Sequence, residues 1–318
     1  MTLTKATREW ILSAAAQSKA CGQAGQIIGR IEPLLGGSVS AIYAIDIFSP
    51  NGAPRQFVLR QYTDQSRLAD EPDVVEHEAA ALVAAFDAGL PCPRLIAFDS
   101  EASRCDVPSL LMTRMPGSPN LLPADLSAWL DELAGMLASV HRVHHVDLRR
   151  QYRLWIDVDQ LEIPPWADNR GTWKALHDRV VAGPPPATTG FLHRDYHPGN
   201  ILWHNGRISA IVDWVNGCIG PLEVDVSHCR KNLAILHGIE SAETFDRRYR
   251  YLTGTPIPDP YWDACAIADI GPDFDGYMAF RSFGVPITAH QITSRLNAFA
   301  THVANRLQRN LRPLTLNQ

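Results

Sequence analysis

The chain lacks the features that mark several specialised protein classes. No run of about 18 apolar residues occurs in its 318 positions, so no membrane-spanning helix is expected. Lys and Arg total 29 against 34 Asp and Glu, for a net charge of -5, and no basic block stands out. That balance argues against nucleic acid as a partner. The six cysteines, Cys21, Cys92, Cys105, Cys218, Cys229 and Cys265, are scattered without a CxxC pair. Their spacing suits reduced thiols packed as small core residues better than a disulfide framework or a zinc site. Met1 to Ala20 has no apolar core of signal-peptide type, because Arg8, Glu9, Gln17 and Lys19 interrupt it. A cytoplasmic protein, monomeric or homodimeric, is the expectation. There is no internal repeat, and low complexity is confined to Pro184-Pro185-Pro186.

What remains is ordinary globular composition, 46% hydrophobic and 20% charged, enough for one large or two medium domains. Within it, Gly190 to Asn216 stands out. His193-Arg194-Asp195 comes first, Asn200 lies five residues after Asp195, and Asp213 lies thirteen residues after Asn200. This order is the kinase arrangement for phosphoryl transfer. The chemistry asks for a carboxylate beside the acceptor hydroxyl, a role that suits Asp195. It also asks for hard oxygen ligands to Mg²⁺, which Asn200 and Asp213 supply. Phe191-Leu192 and Ile201-Leu202-Trp203 read as short strands around a Pro198-Gly199 turn. Asn205-Gly206 is a two-residue hairpin signal, and Ile208 to Val212 returns as a strand that delivers Asp213. Read singly, Asp195 and Asn200 are also good turn residues and Asp213 a good cap; it is the full ordered set that favours the catalytic reading.

The run His193-Arg194-Asp195-Tyr196-His197-Pro198-Gly199-Asn200, followed by Ile211-Val212-Asp213-Trp214, resembles the aminoglycoside phosphotransferase and choline kinase-like family of small-molecule kinases. Arg194 and Tyr196 stand where Gly and Leu are commoner in that family, while Asp195, His197 and Asn200 are in place. The resemblance implies an α+β, two-lobed, protein-kinase-like fold: an N-terminal lobe with an antiparallel sheet plus a helix (1–115), and a mainly helical C-terminal lobe (116–318). It implies Mg²⁺ as cofactor, ATP or GTP as phosphoryl donor and a small-molecule hydroxyl as acceptor. It also gives His193 and His197 supporting roles, and makes Asp225 a structural aspartate that holds the catalytic loop.

Upstream, Thr4 to Ala20 has the apolar spacing of a helix. Gly36-Gly37-Ser38 then lies between two strand-like stretches. Glycines there let backbone N–H groups approach the phosphates, although a plain hairpin has the same signature. Gln56 to Tyr62 reads as a strand carrying Arg60, where kinases place a phosphate-binding Lys. An Arg fork holds phosphate bidentately, and a solvent-facing strand arginine fits the same pattern. Val74 to Ala88 is an amphipathic helix ending at Gly89. Glu78 is preferred over Glu76 as the partner of Arg60, because the family's Glu-x-x-x-Leu pattern falls on Glu78 and Leu82. Leu95 to Asp99 and Ser109 to Arg114 read as an antiparallel pair. The Met112 to Gly117 segment that follows is the expected linker, where backbone groups around Met112 and Arg114 read the purine.

Beyond it, Leu126 to His144 and Thr172 to Val181 have helical spacing, and further helices are expected over 227–238, 241–252, 260–270 and 289–310. His141, His144 and His145 suggest either a metal site or packing, and no matching ligand set follows them. Asp225 comes only twelve residues after Asp213. That leaves no room for a protein-docking activation segment, so a small acceptor is expected. Eight acidic residues between Glu240 and Tyr277 form either a rim for a cationic acceptor or a solvated face; Asp269 and Asp273 are the expected substrate contacts. The function expected is an O-phosphotransferase acting on an antibiotic of aminoglycoside, macrolide or nucleoside type, or alternatively on a metabolite such as choline, homoserine or a sugar derivative.

Overall fold

The computed structural model describes residues 3–18, 25–34, 40–50, 52–270 and 274–311. Contacts divide the chain into two units, Met1–Ser118 with Leu202–Gly217, and Pro119–Ile201 with Cys218–Gln318. No described helix is long and apolar enough to cross a membrane.

The first unit is built on an antiparallel five-stranded sheet in the order β1-β2-β3-β5-β4. The strands are β1 (Ile27–Pro33), β2 (Ser40–Ser49), β3 (Gly52–Tyr62), β4 (Leu95–Asp99) and β5 (Ser109–Thr113). Side chains alternate across a strand, and in β3 this sends two sets of side chains to opposite faces. Phe57 and Leu59 enter an apolar cluster with Tyr43, Ile45, Ile47 and Leu111. Arg60 and Tyr62, one position out of phase, take the other face. Helix α1 (Lys5–Gln17) closes the cluster with Trp10, Ile11, Ala14 and Ala15. Its start is set by Thr4, whose hydroxyl accepts from Thr7 N, a capping bond that offsets an orphan amide. A short helix α2 (Gln65–Asp70) leads into α3 (Val74–Asp87), which buries Val74, Val75, Glu78, Ala79 and Leu82.

Leu202–Gly217, assigned to the C-terminal lobe in the sequence, packs instead with the first unit. The cause is local bonding. Asn205 and Gly206 both take positive φ, 53° and 77°, as a type I′ turn requires. They join the strands Ile201–His204 and Arg207–Ile211. The returning strand is then tied down by Ile211 N to Pro91 O at 2.7 Å and by Ser209 Oγ to Pro116 O at 2.6 Å.

The second unit is mainly helical: α4 (Leu126–His141), α5 (Arg170–Val181), α6 (Glu223–His237), α7 (Ile239–Thr253), α8 (Pro260–Ala268), α9 (Asp275–Met278) and α10 (Ala289–Leu311). Helix α4 stops at His141, short of the expected His144, because Arg142, His144 and His145 are exposed and His145 turns to positive φ. Helix α6 starts at Glu223, four residues before the expected start. This puts Asp225 in its first turn, where the helix dipole favours a carboxylate. Thr288 and Gln291 cap α10 reciprocally, Gln291 N to Thr288 Oγ1 and Thr288 N to Gln291 Oε1.

At the centre of the helical unit sits Arg230, fully buried. It donates to Asp263 at 3.0 and 3.2 Å and to Glu243 at 2.8 Å, while Arg306 also pairs with Asp263. Most of the acidic residues expected at a rim have a basic partner, whether at this centre or elsewhere in the unit. Asp246 pairs with Arg250, Asp259 with Arg179, Glu243 also with His302, and Glu240 with Arg247.

Candidate active site

In the first unit, Arg60 and Glu78 meet as expected from the sequence. Arg60 Nη1 lies 3.1 and 2.9 Å from the two Glu78 oxygens, with both side chains almost fully buried. The same Nη1 lies 2.8 Å from Asp213 Oδ1. Glu76, the competing choice, is exposed. Tyr62, which the sequence reading passed over, donates its hydroxyl to Glu78 Oε2. Its signal was period 2 in β3, which puts it on the same face as Arg60. Burial raises the Glu78 carboxyl, and the neighbouring Arg60 charge opposes that rise. Arg60 is held well above its ordinary value: burial works against the charge, and Asp213 and Glu78 overcome it. Its Nε is buried and has no hydrogen-bond partner among the described residues. Asp213 sits in the left-handed region, φ 67° and ψ 60°. For a residue with a Cβ that conformation costs on the order of 1 kcal/mol and is typical of functional sites.

In the second unit, the strand Thr189–Leu192 pairs with Cys218–Pro221 and delivers His193 to a buried turn. Asp225, completely buried, accepts from His193 N at 2.8 Å and Arg194 N at 2.7 Å. Behind it, His141 Nε2 lies 3.3 Å from Asp225 Oδ2, and His141 Nδ1 lies 2.6 Å from the Tyr249 hydroxyl. His141 therefore belongs to a packing chain, and no described group of three His, Cys, Asp or Glu residues is arranged to hold a metal. Burial raises the Asp225 carboxyl, but its hydrogen bond to His141 and the backbone donors leave it below the usual range.

The two departures from the family pattern have physical accounts. Arg194 adopts φ 68°, a backbone that glycine takes without cost. Its guanidinium compensates by lying 3.6 Å over the Trp155 ring and 4.9 Å over that of Tyr152. Tyr196 is fully buried and donates to Leu133 O in α4 at 2.8 Å, so it anchors the loop where Leu would only fill space.

Asp195 remains reachable, with its side chain 24% exposed. Asn200 Nδ2 donates to Asp195 O at 3.0 Å and to Oδ2 at 3.1 Å. His197 Nδ1 accepts from Gly199 N, and its Nε2 lies 3.8 Å from Asp195 Oδ1. The shortest contact to Oδ1 comes from His228 Nε2 in α6, at 3.0 Å. His228 was not expected. It lies three positions after Asp225, on the same face of α6. Burial, Lys231 and His197 hold its pKa down to about 3, so it is neutral and donates from Nε2. Burial alone would raise Asp195, but His197 and His228 hold it well below the carboxylate range.

Asp269, expected as a substrate contact, is buried beside the His193–Asn200 loop. Its Oδ2 lies 3.4 Å from Arg194 Nη2, with only 4% of the side chain exposed. Asp273 and the Gly36-Gly37-Ser38 turn lie outside the described residues. Met112 is buried in β5, paired with Val58 and Leu95, and Arg114 N donates to Gln56 O.

The donor chemistry fits Mg²⁺. Asn200 spends both amide hydrogens on Asp195, which leaves its carbonyl oxygen as a hard ligand. Asp213 keeps its carboxylate 23% exposed. One or two protein oxygens of this kind, with phosphate oxygens, are what Mg²⁺ takes in phosphoryl-transfer sites.

A family model described as "Phosphotransferase enzyme family" matches residues 30–266. Acyl-CoA dehydrogenase family member 10 of Mus musculus is 24% identical over 269 residues, covering 73% of this chain and 24% of that protein. Hygromycin-B 4-O-kinase of Escherichia coli is 31% identical over 74 residues, 22% of this chain and 21% of that one. The chain thus spans only 24% and 21% of the length of the curated relatives it matches. Among solved structures, a candidate aminoglycoside phosphotransferase from Ralstonia eutropha JMP134 aligns with TM-score 0.64 at 16% identity, over 94% of this chain and 98% of that one. Choline kinase LicA from Streptococcus pneumoniae aligns with TM-score 0.58 at 14% identity, over 93% and 99%. A thermostable mutant of aminoglycoside phosphotransferase APH(4)-Ia, in ternary complex with ADP and hygromycin B, aligns with TM-score 0.55 at 17% identity, over 88% and 94%. At these identities the shared property is the kinase-like α+β fold.

Proposed function

We propose that this chain, which belongs to the phosphotransferase enzyme family, transfers the γ-phosphoryl group of ATP or GTP to a hydroxyl of a small molecule. The observation that carries the reading is Asp195: an ionised, reachable carboxylate oriented by Asn200 and His228. It receives the acceptor hydroxyl as a hydrogen-bond donor and takes its proton as the new P–O bond forms. Asp195 is too acidic to be a strong base. Its main work is orientation, which suits a loose transition state where deprotonation comes late. Arg60, held by Glu78, binds donor phosphates, and Gly36, Gly37 and Ser38 are assigned to cover them on sequence alone. Asn200 and Asp213 are the proposed Mg²⁺ ligands, and bound Mg²⁺ supplies neutralisation of phosphate charge. Met112 and Arg114 are assigned to the purine linker. His193, His197 and Asp225 support the loop. Asp269 joins them by holding Arg194. With a soluble nucleotide as donor, the reaction belongs in the cytoplasm.

For the acceptor, the first reading is an antibiotic of aminoglycoside, macrolide or nucleoside type, supported by the hygromycin B kinase among the relatives. A metabolite of choline, homoserine or sugar type is the second reading. One observation favours it: arginines pair with Glu243, Asp246, Asp259, Asp263 and Asp269, which removes the acidic rim that would draw in a polycation. Expression of the wild type or Asp195→Asn in a drug-sensitive bacterial host distinguishes the two. Resistance to one drug class that disappears in the variant supports the antibiotic reading. Unchanged susceptibility across the panel, with soluble protein present, rejects it in favour of the metabolite.

A further inference from the structure

Four Lys or Arg side chains are buried among the described residues: Arg60, Arg194, Arg230 and Lys231. The three arginines each pair with a carboxylate, Arg60 with Glu78, Arg194 with Asp269 and Arg230 with Asp263. Lys231, in α6, is 2% exposed and makes no hydrogen bond or ion pair with any described residue. Its Nζ stands 5.6 Å from the centre of the Tyr277 ring. What is buried is the aliphatic stem. The Nζ itself, unlike enclosed unpartnered atoms such as His228 Nδ1, keeps contact with solvent.

The position of this ammonium matters. Lys231 follows His228 by three residues, so the two share a face of α6, about 4.5 Å apart along its axis. His228 in turn lies 3.0 Å from Asp195 Oδ1. Burial, then the Lys231 charge, hold the His228 pKa down to about 3, which places the ammonium close to that ring. The rings of His197, Phe280 and Tyr277 continue the cluster, 6.5 Å from His197 to Phe280 and 6.0 Å from Phe280 to Tyr277. Burial raises the Asp269 carboxyl, and Arg194 and Lys231 oppose the rise, but the ion pair Asp269 makes is with Arg194. An ammonium has three donors and no acceptor. Burying one without a counter-charge is costly, so such a group is retained where a ligand supplies the anion.

We propose that Lys231 selects the acceptor: its ammonium binds a carboxylate or phosphate group of the molecule whose hydroxyl Asp195 receives. The inference rests on Asp195 as the point of transfer, and it narrows the acceptor to a compact hydroxyl compound that itself carries an anionic group. A cation such as choline or an aminoglycoside brings like charge toward Lys231 and is disfavoured. Of the acceptors named above, homoserine carries the required carboxylate.

The test is titration calorimetry on the full chain without nucleotide, with three anions beside their neutral counterparts. The pairs are gluconate with sorbitol, 3-hydroxybutyrate with 1,3-butanediol, and glycerol 3-phosphate with glycerol. At least one anion is expected to bind about tenfold or more tightly than its counterpart, as a charge-assisted bond provides. The first two pairs read a carboxylate and the third a phosphate. Lys231→Met and Lys231→Gln, both neutral, are each expected to remove that preference, and Lys231→Arg to keep it. Thermal melting verifies that each variant is folded. The affinity for Mg²⁺ and ATP is expected to stay at the wild-type value in Lys231→Met. Binding is read without turnover, so a chain that binds the anion through Lys231 and transfers nothing contradicts the phosphotransferase reading and leaves this one standing. Equal affinity within all three pairs, a preference that survives in the neutral variants, or a loss of ATP affinity in Lys231→Met overturns the proposal.

Discussion

His228 Nε2 stands 3.0 Å from Asp195 Oδ1, a bond from the first half of α6 to the half-buried carboxylate of the His193–Asn200 loop. Because His228 is neutral, it acts as a fixed donor that sets the carboxylate plane, leaving Asn200 to hold the other oxygen. His228→Ala is expected to lower kcat about 10- to 100-fold with the nucleotide KM unchanged, since misplacing a reacting group by about 1 Å costs that much. His228→Gln, which restores a donor near the Nε2 position, is expected to recover much of the loss. Steady-state kinetics decide it: a His228→Ala enzyme with wild-type kcat contradicts the positioning role.

Arg60 has its charge compensated by Glu78 and Asp213 in a buried setting. Removing Glu78 takes away one of these partners. Glu78→Ala is expected to destabilise the first unit by about 3 kcal/mol, the low end for breaking a buried ion pair. It should also raise the nucleotide KM, because Arg60 is no longer held. Thermal unfolding and nucleotide titration measure the two effects, and unchanged values for both reject the assignment.

Gly117 adopts φ 100°, and a Cβ there would stand 2.4 Å from Trp203 O. The hairpin backbone occupies the space a side chain needs. Gly117→Ala is expected to lower the melting temperature by several degrees, because strained φ alone costs about 1–3 kcal/mol. Gly135→Ala, a helical site with open space around its Cβ, serves as the control and should be neutral or slightly stabilising.

Asp99 closes the turn after β4 by accepting from Ser103 N and Oγ, Arg104 N and Cys105 N. Burial opposes its charge, but these bonds leave its pKa lowered. A depressed folded-state value contributes stability above the unfolded value, near 4, and that stability disappears as pH falls through the folded value. Asp99→Asn is expected to lose about 1–3 kcal/mol at pH 7 from donors left unmade. Its stability should then fall less than that of the wild type between about pH 5 and pH 2. Parallel acid-unfolding curves for the two proteins contradict this.

Much of the site was legible because its signals are local. The spacing of Asp195, Asn200 and Asp213, the Asn205-Gly206 turn and the period of β3 each act over a few residues. The Arg60–Glu78 pair, 18 positions apart, was reached only through the family resemblance. His228 was missed for a specific reason. With α6 read from residue 227, Asp225 falls outside the helix, and the Asp225–His228 pair on one helical face is invisible. The acidic segment after Glu240 was read as open because its partners, Arg230 and Arg306, lie 13 to 43 positions away along the chain. Long-range charge pairing of this kind leaves no periodic trace. The return of Leu202–Gly217 to the first unit depends on backbone bonds to Pro91 and Pro116, which sequence patterns do not record.

The most direct test of the account is γ-phosphate transfer by the purified full chain with Mg²⁺ and labelled ATP or GTP. The acceptors are a panel of aminoglycosides, macrolides, nucleosides, choline, homoserine and sugars, with Asp195→Asn in parallel. The account predicts labelled product from at least one hydroxyl acceptor in the wild type. In Asp195→Asn, transfer should fall at least about a hundredfold while nucleotide binding is retained. Transfer that survives undiminished in the variant, or a wild type that binds nucleotide and phosphorylates nothing in the panel, contradicts it.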